Sequence, residues 1–271
     1  MVHSNIFAGI RPYLVAFRAV SLMQLQYRAA AISGFITQFA FGWVWAEILT
    51  AVLTRSPAQA MSVPQTTTYV WLTQAFLVLV LAHGERGLSD AVRSGNLGIE
   101  LLRPIDCYSY WFVQVLAKRL VPAALRAGPM LVVCSVTGLL APPASTLGLL
   151  CAIAALAAGL LVATALAMLV ASSSLWLVAG DGLATLVPAM LWSLSGVIVP
   201  VALLPEGLRA VVEALPFVGI LDTPIRLYTG VADPGCAPAL IARQLLWTIA
   251  LIALGWAAVR RGLHRAEIAG G

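Results

Sequence analysis

The segment from residue 84 to residue 111 holds the densest group of ionisable side chains in the sequence, GERGLSDAVRSGNLGIELLRPIDCYSYW. Four of the eleven acidic residues and three of the sixteen basic ones fall within it. They are Glu85, Asp90, Glu100, Asp106, Arg86, Arg93 and Arg103. Because the rest of the chain carries so few charges, we expect this segment to present a docking surface to a partner in water.

A short capped helix is predicted at the centre of this segment. Its residues are Leu88, Ser89, Asp90, Ala91, Val92, Arg93 and Ser94. Ser89 or Asp90 near the start can accept hydrogen bonds from the free amides of the first turn. The pair Gly95-Asn96 is a typical C-terminal stop, and Leu88, Ala91 and Val92 give the helix an apolar side. A charged loop that only fixes the membrane topology is the alternative interpretation.

The sequence has no residue pattern for nucleotide hydrolysis or metal chemistry. No GxxxxGK[ST] phosphate loop is present, and Lys118 is the one lysine. Three histidines are scattered, at His3, His83 and His264, and the four cysteines show no CxxC spacing. A net charge of +5, with the basic residues grouped at membrane boundaries, gives no indication of nucleic-acid binding. We therefore expect no cofactor on this chain.

The composition predicts an all-α integral membrane protein. Hydrophobic residues make up 61% of the 271 positions and charged residues only 10%, whereas soluble domains carry about 25% charged residues. A membrane-crossing helix needs about 20 apolar residues, and continuous apolar runs argue against a β-barrel. Six spans are predicted, at about 29–53, 69–83, 121–140, 145–171, 175–199 and 237–259.

Segments outside these spans complete the predicted organisation. Residues 1–28 are interpreted as a cytoplasmic amphipathic helix lying in the membrane interface, and 260–271 as a cytoplasmic tail. The transmembrane domain, 29–259, contains the charged segment 84–111 and a proline-rich stretch, 200–234. That stretch is predicted to form two short helices, at 206–214 and 216–227. Since neither is long enough to cross a membrane, they are interpreted as re-entrant helices; a loop lying on the outer surface is the alternative.

The distribution of basic residues predicts the orientation. If the N-terminus is cytoplasmic, eleven of the sixteen basic residues lie on the cytoplasmic side and four on the outer side, with Arg126 inside a span. Both termini and the segment 84–111 are therefore expected in the cytoplasm.

Three segments in this order resemble a known family. They are the stretch AVRSGNLGIELLRPID between spans two and three, the proline pattern that follows span five, and the basic tail ending in Gly-Gly. The proline pattern comprises Ser195-Gly196, Pro200, Pro205 and Leu215-Pro216-Phe217. Together they resemble the permease subunits of ATP-binding-cassette (ABC) transporters, specifically the type-2 permease family with the type V exporter fold.

The resemblance implies a function and partners. The helix 88–94 would be the coupling helix, which sits in a cleft on an ATPase subunit, with Glu100 and Arg103 as supporting contacts. Two ABC ATPase subunits would bind ATP and Mg, and a second permease, identical or related, would complete the dimer. The assembly would reside in the inner membrane of a bacterium and export an amphipathic small molecule such as a drug or antibiotic.

Other functions remain open at this point. Within the transporter class, the cargo can be a lipid or a lipid-linked glycan. From other classes, a membrane-embedded lipid-modifying enzyme and a membrane scaffold or immunity protein without an ATPase are the alternatives.

Three ionisable residues are predicted to lie at membrane depth, where charge is costly and usually functional. Arg126 and Asp181 are expected to pair with each other or with neighbouring helices, unless Arg126 extends to the interface. Glu47 would line the exit path and favour cationic cargo, or else lie near the interface in reach of water. Five tryptophans are interpreted as a group that includes interfacial anchors and not as a substrate cage: Trp43, Trp45, Trp71, Trp111 and Trp256.

Overall fold

The computed structural model describes residues 6–55, 60–80, 105–173, 175–176 and 181–269. Over these ranges the chain forms α-helices, short 3₁₀ helices and turns, and no β-strand. The described helices are α1 (Ile6–Gln26), α2 (Arg28–Thr54), α3 (Val63–Phe76), α4 (Cys107–Val136), α5 (Thr146–Ser173), α6 (Asp181–Leu194), α7 (Glu206–Ala214), α8 (Asp222–Thr229) and α9 (Ala237–Ala269). The 3₁₀ helices are Leu77–Leu79, Val201–Leu203 and Pro234–Cys236.

Four stretches of the described chain are long and apolar enough to cross a membrane. They are Ala29–Thr54, Cys107–Val136, Thr146–Ser173 and Pro234–Gly262. The helices at the other two predicted spans, α3 and α6, have 14 residues each. The described range that contains α3 ends at residue 80, and the one that contains α6 begins at residue 181. An all-helical membrane protein is therefore confirmed, whereas the count of six spans stays a prediction.

Helix α4 extends beyond the span predicted there. The third span was expected at about 121–140, and the helix that contains it runs from Cys107 to Val136. It begins where the Asp106 carboxylate accepts a hydrogen bond from the Ser109 amide at 2.7 Å. It ends before Gly138, whose φ of +73° belongs to the left-handed region that closes many helices. The helix therefore starts well before the predicted span and stops before its last residues.

Of the two helices predicted in the proline-rich stretch, one has the expected range and the other starts later. Helix α7 coincides with the range 206–214, but the second helix, expected at 216–227, begins only at Asp222. Residues 216–221 form turns, and the Gly219 carbonyl accepts a hydrogen bond from the Gln244 side chain of α9. The Thr223 amide donates to the Val218 carbonyl at 3.1 Å, a wider turn than an α-helix makes. The hydrogen bond from Gln244 joins this turn to α9, and no local sequence pattern shows it. The second helix therefore begins later than predicted.

The helices form a bundle with two distinct ends. At the end called upper here, the Ala141 amide donates to the Thr68 hydroxyl at 2.9 Å, and the Ala144 amide donates to the Tyr228 carbonyl. At the lower end α1 packs along α4, and the Asp106 amide donates to the Tyr13 hydroxyl at 3.1 Å. Helices α5 and α9 pack along each other, and α8 lies against α5.

Candidate functional site: a groove along helix α2

One face of α2 lines a cavity of about 750 Å³. Its lining residues on α2 are Ala30, Ser33, Gly34, Thr37, Gln38, Phe41 and Trp45. These positions recur every three or four residues, which places them on a single side of the helix. Fifteen residues of helix rise about 22 Å, so the cavity is an elongated groove running up α2. We call it the α2 groove.

Five other elements form the opposite wall of the α2 groove. The residues are Gln74 of α3, Leu77 of the 3₁₀ helix that follows, Arg126 of α4, Trp192 of α6, and Val197 and Ile198 of the turn after α6. The size of the groove lies within the range of small-molecule sites, about 300–1,000 Å³. Because α2 meets five other elements here, a small relative movement of α2 would change the shape of the groove.

Gly34 leaves room for the Arg126 side chain of α4 to contact α2. A Cβ at Gly34 would lie 2.9 Å from both Cζ and Nε of Arg126, so the guanidinium rests directly on the α2 backbone. Helix α2 therefore holds the Arg126 side chain at the wall of the α2 groove.

The upper end of the α2 groove is closed by a tryptophan. The Trp45 indole N–H donates a hydrogen bond to the Ile198 carbonyl at 3.0 Å, joining α2 to the turn after α6. This bond links residues 153 positions apart, and it lies where Val197 and Ile198 line the groove.

A buried polar cluster joins the chain segments above the Trp45–Ile198 hydrogen bond. The fully buried Asp222 carboxylate accepts a hydrogen bond from the Tyr69 hydroxyl at 2.8 Å and one from the Val201 amide at 3.1 Å. Its other oxygen lies 2.7 Å from Nε of Arg226. Arg226 also donates to Glu213 at 2.7 Å. We call Tyr69, Val201, Glu213, Asp222 and Arg226 the Asp222 network.

Glu213 marks the exposed edge of the Asp222 network. Its carboxylate also accepts a hydrogen bond from Arg209 at 3.0 Å, so two cations share one acid. Burial opposes ionisation of Glu213, but the hydrogen bonds from Arg226 and Arg209 outweigh it and lower its pKa. Glu213 is therefore ionised, and it neutralises part of the positive charge beside Asp222.

The predicted site residues fall into three groups. Arg126 lines the α2 groove, whereas Glu47 is exposed on α2 and is not among the lining residues. Asp181 begins α6, but its side chain lies outside the described part, so its pairing with Arg126 stays a prediction. The predicted coupling residues also lie outside the described residues: Leu88, Ser89, Asp90, Ala91, Val92, Arg93, Ser94, Glu100 and Arg103.

Two tryptophans do not fit their prediction as interfacial anchors. Trp71 is only 2% exposed, and its ring packs 5.0 Å from that of Phe39 between α2 and α3. Trp45 lines and closes the α2 groove. Sequence reasoning also missed Gln38 and Gln74, although amides inside apolar spans are an available signal for a polar site.

The groups along the α2 groove are suited to binding. The Ser33 and Thr37 hydroxyls donate to backbone carbonyls one turn earlier, at 3.1 and 2.9 Å. The other polar groups are two amides and a guanidinium. Across the described ranges, no group of three or more His, Cys, Asp or Glu residues is placed to hold a metal ion.

Comparison with known proteins gives a family. The search of curated proteins and the search of solved structures find no match. The family model described as "ABC-2 family transporter protein" matches residues 31–270, which include every residue that lines the α2 groove except Ala30. Because the match spans most of the 271 residues, this chain belongs to the ABC-2 transporter family.

Proposed function

We propose that the protein is the permease subunit of an ABC exporter that moves an amphipathic small molecule across the inner membrane of a bacterium. The family match over residues 31–270 is the observation that carries the proposal. Four described stretches that can cross a membrane support a transmembrane role. The α2 groove supplies a site of suitable size for a small molecule within those helices.

The energy would come from two separate ATPase subunits that bind ATP and Mg. The printed sequence has no phosphate loop, so nucleotide hydrolysis needs a partner. The predicted helix at residues 88–94 combines charged and apolar residues between two spans, as a docking element requires. In this proposal the helix is the coupling helix, and it transmits ATP-driven movement to the helices on either side.

The direction in which the α2 groove runs agrees with export when both termini are cytoplasmic. The predicted excess of basic residues puts the lower end of the bundle in the cytoplasm. The groove would then accept cargo between the lower end and mid-membrane, while Trp45 closes its outer end. A second permease subunit would cover part of the exposed apolar surface of α2, which includes Ile32, Ile36 and Val44.

Reversing two charges tests the coupling surface. The double variant Asp90→Arg/Arg93→Glu is expected to lose at least about tenfold in ATPase binding, because like charges would then face each other across the contact. The measurement is co-purification of the affinity-tagged permease with the ATPase encoded beside it, followed by ATP hydrolysis in nanodiscs.

A matched control reverses the same pair of charges elsewhere. Glu206→Arg/Arg209→Glu has the same spacing on α7 at the upper end, and both residues are solvent-accessible. It should bind the ATPase as the wild type does. Equal binding by the Asp90/Arg93 variant would refute the coupling assignment, and absence of any ATPase partner for the wild type would refute the transporter proposal.

A further inference from the structure

Two glutamines line the α2 groove, Gln38 and Gln74. Gln38 is 5% exposed and Gln74 is 6% exposed, and the side-chain oxygen of each lacks a hydrogen bond within the described part of the chain. Both oxygens are buried from solvent, so these glutamines make the wall of the groove more polar without presenting an acceptor on its surface.

The cation on the same surface, Arg126, has no ion-pair partner among the described residues. Nε of Arg126 is buried and makes no hydrogen bond to any described residue, and the ion pairs found there do not include Arg126. A guanidinium offers five N–H donors in a planar fork that matches a carboxylate or phosphate. Arg126 therefore provides a recognition group for an anion at the wall of the α2 groove.

The remaining wall is apolar. Phe41, Trp45, Leu77, Trp192, Val197 and Ile198 form it. Glu47, the acidic residue expected to attract cations, lies exposed on α2 and outside this lining. The charge along the groove is thus positive and its surface mostly apolar, which is the complement of an amphipathic acid.

We propose that the α2 groove binds an amphipathic acid, with the acidic group on Arg126 and the apolar body against Trp45 and Trp192. This names the substrate class of the proposed exporter and therefore rests on that function. Binding itself can be measured on the permease without its ATPase.

The test compares three fluorescent probes of equal length that differ only in the head group. The probes are 11-(dansylamino)undecanoic acid, the corresponding alcohol and the corresponding amine, each titrated into the purified full-length permease in nanodiscs of neutral lipid. The acid is expected to bind about tenfold or more tightly than the alcohol, since a hydrogen bond to a charged group adds about that much affinity. Equal affinities for the three probes, or tighter binding of the amine, would overturn the proposal.

Variants of Arg126 test whether this residue causes the preference for the acid. Arg126→Gln should reduce the affinity for the acid about tenfold and leave the alcohol unchanged, while Arg126→Lys should keep part of the preference. Arg55→Gln, an exposed arginine after α2, is the matched control and should bind as the wild type does. An Arg126→Gln variant that still prefers the acid would also overturn the proposal.

Arg126→Lys keeps the proposal testable if Arg126→Gln misfolds. Lysine retains the positive charge but not the planar fork, so the apparent Tm should stay close to that of the wild type while the affinity for the acid falls by less than in Arg126→Gln. An Arg126→Lys protein with the wild-type Tm that binds the alcohol more tightly than the acid would contradict the assignment.

Two further questions have separate measurements: displacement of the probe shows which molecule supplies the acidic group, and ATPase binding tests the transport proposal. Displacement of the probe by phosphatidylglycerol would identify a membrane lipid as an occupant; displacement only by soluble amphipathic acids would identify those. Either result supports the site. If the ATPase binds but the acid is not preferred, only the inference fails. If the acid binds but no ATPase does, the transport function fails and the binding site stands.

Discussion

The Asp222→Ala variant is expected to lose about 3–5 kcal/mol of folding stability, because it breaks a buried charge network. Asp222 is fully buried, and its carboxylate joins α3 through Tyr69, the Val201 turn and Arg226. With alanine at this position, the Tyr69 hydroxyl keeps the Gly196 carbonyl as its one acceptor. The Val201 amide loses the acceptor that Asp222 provides. The measurement is the apparent Tm of the detergent-solubilised protein, which should fall by about 10 °C.

Arg209→Ala is the control for that prediction. Its side chain is 40% exposed and pairs with Glu213 at the edge of the Asp222 network, where an ion pair contributes about 0–1 kcal/mol. The Tm of this variant should stay within about 3 °C of wild type. If the two variants had the same Tm, the Asp222 network would not hold the upper segment in place.

Gly159→Ala is expected to destabilise the protein by about 1–3 kcal/mol, although alanine is the better helix former. A Cβ on Gly159 of α5 would lie 2.6 Å from the Gly219 carbonyl oxygen and 2.8 Å from that of Ile220. Backbone atoms cannot rotate away as a side chain can, so the turn at 216–221 must shift off α5. The same Tm assay measures the loss.

Gly128→Ala is the matched substitution at a site with space. Gly128 lies inside α4, and a Cβ there would meet nothing within 4 Å. This variant should be neutral or gain up to about 1 kcal/mol from helix propensity. A Gly159→Ala protein as stable as Gly128→Ala would show that the turn and α5 are not in tight contact.

The elements that local sequence determines were predictable. Continuous apolar runs identified the helices that can cross a membrane, and prolines at 205 and 216 bracketed α7. The turn at 216–221 before α8 was not predictable, since its Gly219 carbonyl accepts a hydrogen bond from Gln244, 25 residues farther along the chain, through tertiary packing. The predicted span at 121–140 differs from α4 for another reason: hydropathy measures the apolar part of a helix and does not show where the helix begins and ends.

The binding site was predictable only in part. Arg126 stood out because a charge inside an apolar span is rare, and it does line the α2 groove. Gln38, Gln74 and Trp192 come from three different helices, so their convergence depends on packing that no local pattern contains. Glu47 is equally unusual in sequence, yet the rotation of α2 places it outside the groove.

The hydrogen bond from Trp45 to Ile198 is the weaker of two connections at the upper end of the α2 groove. A neutral hydrogen bond contributes about 0.5–1.5 kcal/mol. The Asp222 network above it is far more costly to disturb. A displacement of α2 that separates Trp45 from Ile198 would therefore leave the Asp222 network intact. Such a displacement must also separate α2 from α3, where the rings of Phe39 and Trp71 lie 5.0 Å apart. The packing of α2 on α3 therefore contributes, beside the hydrogen bond, to keeping the upper end of the α2 groove in the observed shape.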